Sequence, residues 1–159
     1  SLLATILKAN PSLQGVLFDR TRVLKGAKKF FDAVGLADRC EFVGGSFFKS
    51  VPEGCDAYIL KSVIHDWSDD HSVEILTNCR RAMRGRGRIL LVERIVQTDG
   101  STSVETLCSD LTMLALGGGQ EAQERTEAEF HALYRAAGCD LTRVVPTRSD
   151  FYVIEAVND

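Results

Sequence analysis

Short β-rich runs alternate with longer helical periods, and this alternation predicts a layered α/β domain with a mainly parallel sheet. Three observations carry that reading. Several runs, such as Ile89-Leu90-Leu91-Val92, are continuously apolar, as expected of strands covered on both faces. The segments between them set apolar residues at helical spacing. The last two runs lie only a few residues apart, too close for a helical crossover, so that pair is expected to be antiparallel. A length of 159 residues suits one domain.

The elements follow in order. Residues 1–9 read as the second half of a helix closed by Asn10-Pro11. Strands are expected at residues 15–19, 40–44, 57–63, 88–96, 141–146 and 151–157. Between the first two, Val23, Ala27, Phe30, Phe31 and Val34 recur on one helical face. Val73, Leu76, Cys79, Ala82 and Met83 make a second such face, ending near Gly85. Val104, Leu107, Cys108, Leu111, Leu114 and Ala115 make a third. Phe130, Leu133, Tyr134 and Ala137 make a fourth, opened by a capping box of Thr126 with Glu129 and stopped by Gly138.

Composition narrows the function classes. Hydrophobic residues make up 45% and charged residues 26%, too apolar for a disordered chain. The net charge of −3, with no basic stripe, argues against nucleic acid and against an anionic membrane surface. Uncharged apolar stretches are strand-sized, short of the ~20 residues that span a bilayer. Five cysteines, Cys40, Cys55, Cys79, Cys108 and Cys139, show no CxxC pair and no histidine at zinc spacing. They read as small apolar core residues in a reducing cytoplasm, and no metal site is expected. No leader pattern occupies the first ten residues, and a start at Ser1 rather than methionine points to a fragment or a processed chain.

Ligands of parallel sheets sit at the carboxyl ends of strands, and there the chemistry is densest in Lys61-Ser62-Val63-Ile64-His65-Asp66-Trp67-Ser68-Asp69-Asp70. An imidazole titrates near working pH, so His65 suits a general base; the plainer reading is a histidine that caps the next helix or packs under the loop. Trp67 reads equally as core, while Asp69 and Asp70 suit a helix start. Glu93 interrupts an apolar strand, where a buried charge costs several kcal/mol unless partnered; otherwise it turns outward. Glu124 precedes a helix start, and by itself reads as a solvated loop residue. Asp19 ends a strand, where a carboxylate commonly accepts ribose hydroxyls, or simply caps the following helix. His71 and His131 read as surface residues. Gly117-Gly118-Gly119 follows a helix, so it reads as a helix stop and a flexible loop. No GxGxxG is present, which counts against a nicotinamide dehydrogenase.

Taken together, Gly15-Val-Leu-Phe-Asp19, Gly44-Gly-Ser-Phe-Phe48, Lys61-Ser-Val-Ile-His-Asp-Trp67, Ile89-Leu-Leu-Val-Glu93, Asp110-Leu-Thr-Met113 and Glu124-Arg-Thr126 resemble the catalytic domain of S-adenosylmethionine-dependent O-methyltransferases of the plant caffeate and bacterial polyketide type. The resemblance implies a Rossmann-like class I methyltransferase sheet with an antiparallel last strand pair, and residues 1–159 as a partial catalytic domain. It implies methyl transfer to a hydroxyl of a small aromatic metabolite, with His65 as base and Glu93 and Glu124 flanking it. It implies cofactor contacts at Asp19, Phe47, Lys61 and Trp67, a substrate contact at Met113, and a cytoplasmic homodimer as the parent.

Three departures from the family pattern bear on this. Ser46 stands where the family usually has an aspartate that holds the adenine amino group. The loop from Gly117 to Glu124 runs two residues longer than usual, which makes Glu121 a rival for the Glu124 role. The family's glycine-rich first strand and loop, central in its sheet, and its amino-terminal dimerisation domain are both expected before Ser1. This predicts a chain inactive by itself. The reading from a different class is a non-catalytic relative that uses the fold for binding or dimerisation.

Overall fold

A computed structural model describes residues 1–83, 85, 87–116 and 122–158. The expected glycine loop at 117–119 and the rival Glu121 lie outside the described residues. The chain divides into two compact units, Ser1–Pro52 and Glu53–Asp159.

In the first unit, α1 (Leu2–Ala9) leads into β1 (Gly15–Asp19), α2 (Thr21–Ala33), a 3₁₀ turn at Ala37–Arg39 and β2 (Cys40–Gly44). β1 and β2 pair in parallel, Gly15 opposite Cys40 and Asp19 opposite Gly44. The helical periods of α1 and α2 supply Ala4, Leu7 and Phe31 to a core closed by Leu36 and Cys40. Arg39 ties the end of α1 to the chain beyond it, donating to the carbonyls of Leu7 (3.0 Å), Asn10 (2.8 Å) and Leu13 (2.6 Å). The chain then turns tightly out of β2. A side chain at Gly45 would stand 2.6 Å from the Phe18 ring, and one at Gly44 2.5 Å from the Thr21 hydroxyl.

The second unit runs β3 (Ala57–Lys61), a 3₁₀ turn at Ile64–Asp66, α3 (Asp69–Ala82), β4 (Arg88–Arg94), α4 (Val104–Leu116), α5 (Glu127–Ala136), β5 (Cys139–Pro146) and β6 (Phe151–Asn158). Its strand order is β3-β4-β6-β5. β3 and β4 are parallel, and β6 runs antiparallel to both β4 and β5. The expected antiparallel last pair is present. The sheet is mixed: β3, β4 and β5 run in one direction, and β6, inserted between β4 and β5, runs against both neighbours. A bulge near Leu141 and Arg143 shifts the β5–β6 register.

Helices cover this sheet as their periodicity demands. α3 buries Ile75, Leu76 and Cys79 and packs on α5 and β4, and α5 buries Phe130, Leu133 and Tyr134 against β5. The expected capping box is formed: the Thr126 hydroxyl accepts the Glu129 amide and the Glu129 carboxylate accepts the Thr126 amide. α4 differs, because Val104 (70% exposed), Leu107 (47%) and Leu111 (65%) leave its apolar face open. Cys40, Cys79 and Cys139 are buried as expected, whereas Cys108 on α4 is exposed. Burial pushes the Cys79 thiol up to about 12 and the Cys139 thiol to about 11, so both stay protonated and inert. No helix among the described residues is long and apolar enough to cross a membrane.

β5 starts two residues earlier than expected, at Cys139, and β6 ends one residue later, at Asn158; the two other strand ends that differ from expectation position the chemistry. β3 stops at Lys61 rather than residue 63, since Ser62 takes φ +54° and swings the chain into the 3₁₀ turn. β4 stops at Arg94, after which Ile95 forms an isolated parallel bridge with Arg125.

Candidate active site

Strand alternation in β4 puts Ile89, Leu91 and Glu93 on the same buried face. Glu93 is 0% exposed. A charge there needs donors, and the left-handed step at Ser62 supplies them: the amides of Val63 and Ile64 each donate to Glu93 Oε1 at 2.9 Å. The same turn carries His65, whose Nδ1 lies 3.2 Å from Glu93 Oε2. That contact is out of line for a well-directed hydrogen bond, and neither atom has another hydrogen-bond partner among the described residues.

Glu124 reaches the same imidazole from the other side of the sequence. Its amide donates to Asp110 Oδ1 on α4 (2.9 Å), and its Oε1 accepts the Ser109 hydroxyl at 2.6 Å. The carboxylate then stands 3.7 Å from His65 Nδ1, with Arg94 Nη1 3.8 Å away. His65 is 8% exposed and shows its other nitrogen, Nε2, to the exposed carboxylate of Asp66 at 3.4 Å.

Electrostatics follow from this packing. Burial pulls the His65 pKa down, but the Glu93 contact and the charges of Glu93, Glu124 and Asp66 outweigh it, so the pKa is raised. Burial raises the Glu124 pKa, helped by the Glu93 charge, against the Ser109 hydrogen bond and the charges of His65 and Arg94. Two carboxylates on Nδ1 favour a proton at that nitrogen, which leaves Nε2 as the acceptor. Such an imidazole can take a proton from a bound hydroxyl and hold it.

His65, Glu93 and Glu124 also offer ligand atoms within 4.8 Å of one another, a set able to hold a divalent cation. Three of the other expected residues stand in this second unit. Lys61 is exposed at the end of β3 with its ammonium 4.3 Å from the centre of the Phe151 ring, a ring that Arg94 also overlies at 4.5 Å. Trp67 is half-buried, its ring edge-on to His71. Met113 is half-buried on α4. In the first unit, Asp19 is exposed and its Oδ1 accepts the Arg20 amide at 2.6 Å. Ser46 and Phe47 follow β2, the Phe47 ring edge-on to Phe48. An exposed carboxylate and an aromatic face are the group types that ribose and adenine take. His71 and His131 are on the surface as expected.

Sequence reasoning missed three supporting groups. Ser109 and Asp110 sit 15 and 14 residues from Glu124, with no periodicity to link them. Arg125 is 1% exposed and divides its guanidinium between the His65 turn and Asp69 at the start of α3. Its only sequence signal is a charge wedged between Glu124 and the Thr126 cap.

A family model described as "O-methyltransferase domain" matches residues 1–140. Phenazine O-methyltransferase PhzM of Lysobacter antibioticus is 46% identical over 155 residues, covering 98% of this chain and 44% of that protein. The mitomycin biosynthesis 6-O-methyltransferase of Streptomyces lavendulae is 40% identical over 146 residues, covering 92% of this chain and 40% of that protein. The crystal structure of CalO1, a methyltransferase in calicheamicin biosynthesis, in its SAH-bound form superposes with a TM-score of 0.87 at 41% identity. It covers 99% of this chain and 45% of that one. The chain therefore spans about half the length of the relatives it matches.

Proposed function

The chain belongs to the O-methyltransferase domain family, and from that premise we propose that the full-length protein transfers a methyl group from S-adenosylmethionine to a hydroxyl of a small aromatic metabolite, with His65 as general base. The observation that carries the reading is His65 Nδ1 held against two buried carboxylates, 3.2 and 3.7 Å away, with Nε2 turned the other way. S-adenosylmethionine, when bound, supplies a sulfonium methyl for in-line attack by the substrate oxygen. Asp19 is proposed for the ribose hydroxyls, Ser46, Phe47 and Trp67 for the adenine end, and Lys61 for a further cofactor contact. Met113 is proposed against the substrate.

His65 Nε2 takes the hydroxyl proton, and Glu93 and Glu124 stabilise the imidazolium that results. A phenol near 10 and an imidazole near 6.5 differ by ~3.5 units, or ~5 kcal/mol against transfer in water. The carboxylates narrow that gap by raising the imidazole. General-base assistance gives about 10²–10⁴-fold, and alignment of oxygen and methyl contributes more, with effective molarities of roughly 10⁵–10⁸ M.

The activity is assigned to the full-length protein, proposed as a homodimer with this chain as part of its catalytic domain. The 159 residues alone are proposed to lack turnover. Calorimetric titration of S-adenosylhomocysteine into the full-length protein tests the reading. Binding is expected. Absence of binding would put the non-catalytic reading first, with Ser46 as its natural cause.

Two further outcomes are expected. The base works in its neutral form and its pKa lies above the usual value, so kcat/KM rises with pH through an inflection above ~6.5 and then levels. Glu124→Gln removes one of the charges that raise it, and the inflection moves to lower pH; an upward shift in that variant's rate profile would contradict the assignment. Metal is not required, because the imidazolium formed at His65 supplies the positive charge beside the two carboxylates that a cation would otherwise supply. Dialysis against a chelator therefore leaves turnover unchanged. Loss of turnover with recovery on adding Zn²⁺ would reassign the three groups as metal ligands.

A further inference from the structure

Arg125 is the largest of the fully buried side chains among the described residues. Its Nη1 donates to the Ile64 carbonyl (3.0 Å) and its Nη2 to the Trp67 carbonyl (2.8 Å), one residue before and two residues after His65. Nε and Nη2 also grip Asp69 Oδ1, at 3.0 and 2.8 Å, at the first residue of α3. The neighbouring Gln123 amide donates to the carbonyl of His65 itself at 3.0 Å. Residues 123 and 125 thus dock on the backbone of the 64–67 turn, and Glu124 between them meets the imidazole.

The backbone of Arg125 fixes the third member. It bridges to Ile95, and its carbonyl accepts the Val96 amide at 2.9 Å, just beyond the strand that carries Glu93. One residue therefore joins the β4 end, the His65 turn and the Glu124 segment. A guanidinium suits this task, since its fork presents several donors in fixed directions to two carbonyls and a carboxylate at once. An ammonium does not, because its donors radiate from a single point.

We propose that Arg125 is a positioning residue for the proposed methyl transfer, holding the His65 turn in register with Glu93 and Glu124 while touching neither substrate nor cofactor. The inference rests on the general-base reading above, and its test separates the two.

Arg125→Lys in the full-length protein is expected to lower kcat by about 10–100-fold, since a displacement near 1 Å can cost ~10². KM and S-adenosylhomocysteine affinity are expected to stay unchanged. The His65 imidazole, followed by NMR, is expected to titrate at lower pH as its contacts with the carboxylates loosen, an effect that loss of stability alone does not produce. Asp69→Asn, which keeps Arg125 but weakens its anchor, should shift both readouts in the same direction by less, and it decides the question if Arg125→Lys does not fold. An unmoved His65 titration and unchanged kcat in a folded variant would reduce Arg125 to a structural residue. A shifted His65 titration in a protein that transfers no methyl group even when unsubstituted would instead uphold the clamp and remove the reaction.

Discussion

His65→Gln in the full-length protein is expected to lower kcat about 10²–10⁴-fold while S-adenosylhomocysteine still binds. Glutamine keeps a polar side chain between the carboxylates but offers no basic nitrogen at the position of Nε2. His65→Ala should abolish turnover as well, and it adds a structural penalty. Removing the imidazole leaves Glu93 and Glu124 facing each other with their shared partner gone, and breaking a buried pair from one side costs about 3–5 kcal/mol. The pair of variants therefore separates chemistry from folding. Near-normal turnover in His65→Gln would remove His65 from the mechanism.

Glu93→Gln is expected to cost a similar factor for a different reason. Glu93 Oε1 holds the amides of Val63 and Ile64, while Oε2 faces His65 Nδ1. A glutamine can keep its carbonyl oxygen on the two amides, but then its NH₂ group faces Nδ1. A donor there favours the other tautomer, with the proton on Nε2 beside Asp66 and no lone pair left for the substrate. A loss of about 10²–10⁴-fold in kcat follows, the range that a wrongly protonated imidazole forfeits. The His65 pKa falls as well, because Glu93 contributes the leading effects that raise it. Glu93→Ala strips both amides of their acceptor, at about 1–3 kcal/mol for each buried donor, so it should also lower the thermal unfolding midpoint. Normal kcat in Glu93→Gln, measured with the fold intact by circular dichroism, would show that the carboxylate only braces the turn.

Much of this arrangement is legible in the chain because its signals are local. The alternation of apolar runs marks every strand, and the Thr126–Glu129 spacing marks the start of α5. Glu93 announces itself as a charge on the buried face of an apolar strand, which has to find donors. Long-range geometry is less legible. The insertion of β6 between β4 and β5 leaves no trace in chain order, since adjacency in sequence reveals only the β5–β6 hairpin. The early end of β3 depends on one backbone angle at Ser62, a residue type with no strong preference for it. Glu124 reads as a solvated loop residue until Ser109 and Asp110 are seen to hold it. Arg125 has no role in the sequence reading, because its carbonyl partners lie 58 and 61 residues away.

The most direct test of His65 as the base pairs two titrations of the full-length protein over one pH range. NMR follows the His65 imidazole, and rapid quench follows the single-turnover rate of methyl transfer. The account predicts that both inflect together, above the ~6.5 of a free imidazole, with the rate rising as His65 loses its proton. A rate that stays flat through the His65 titration, or falls across it, would contradict the account.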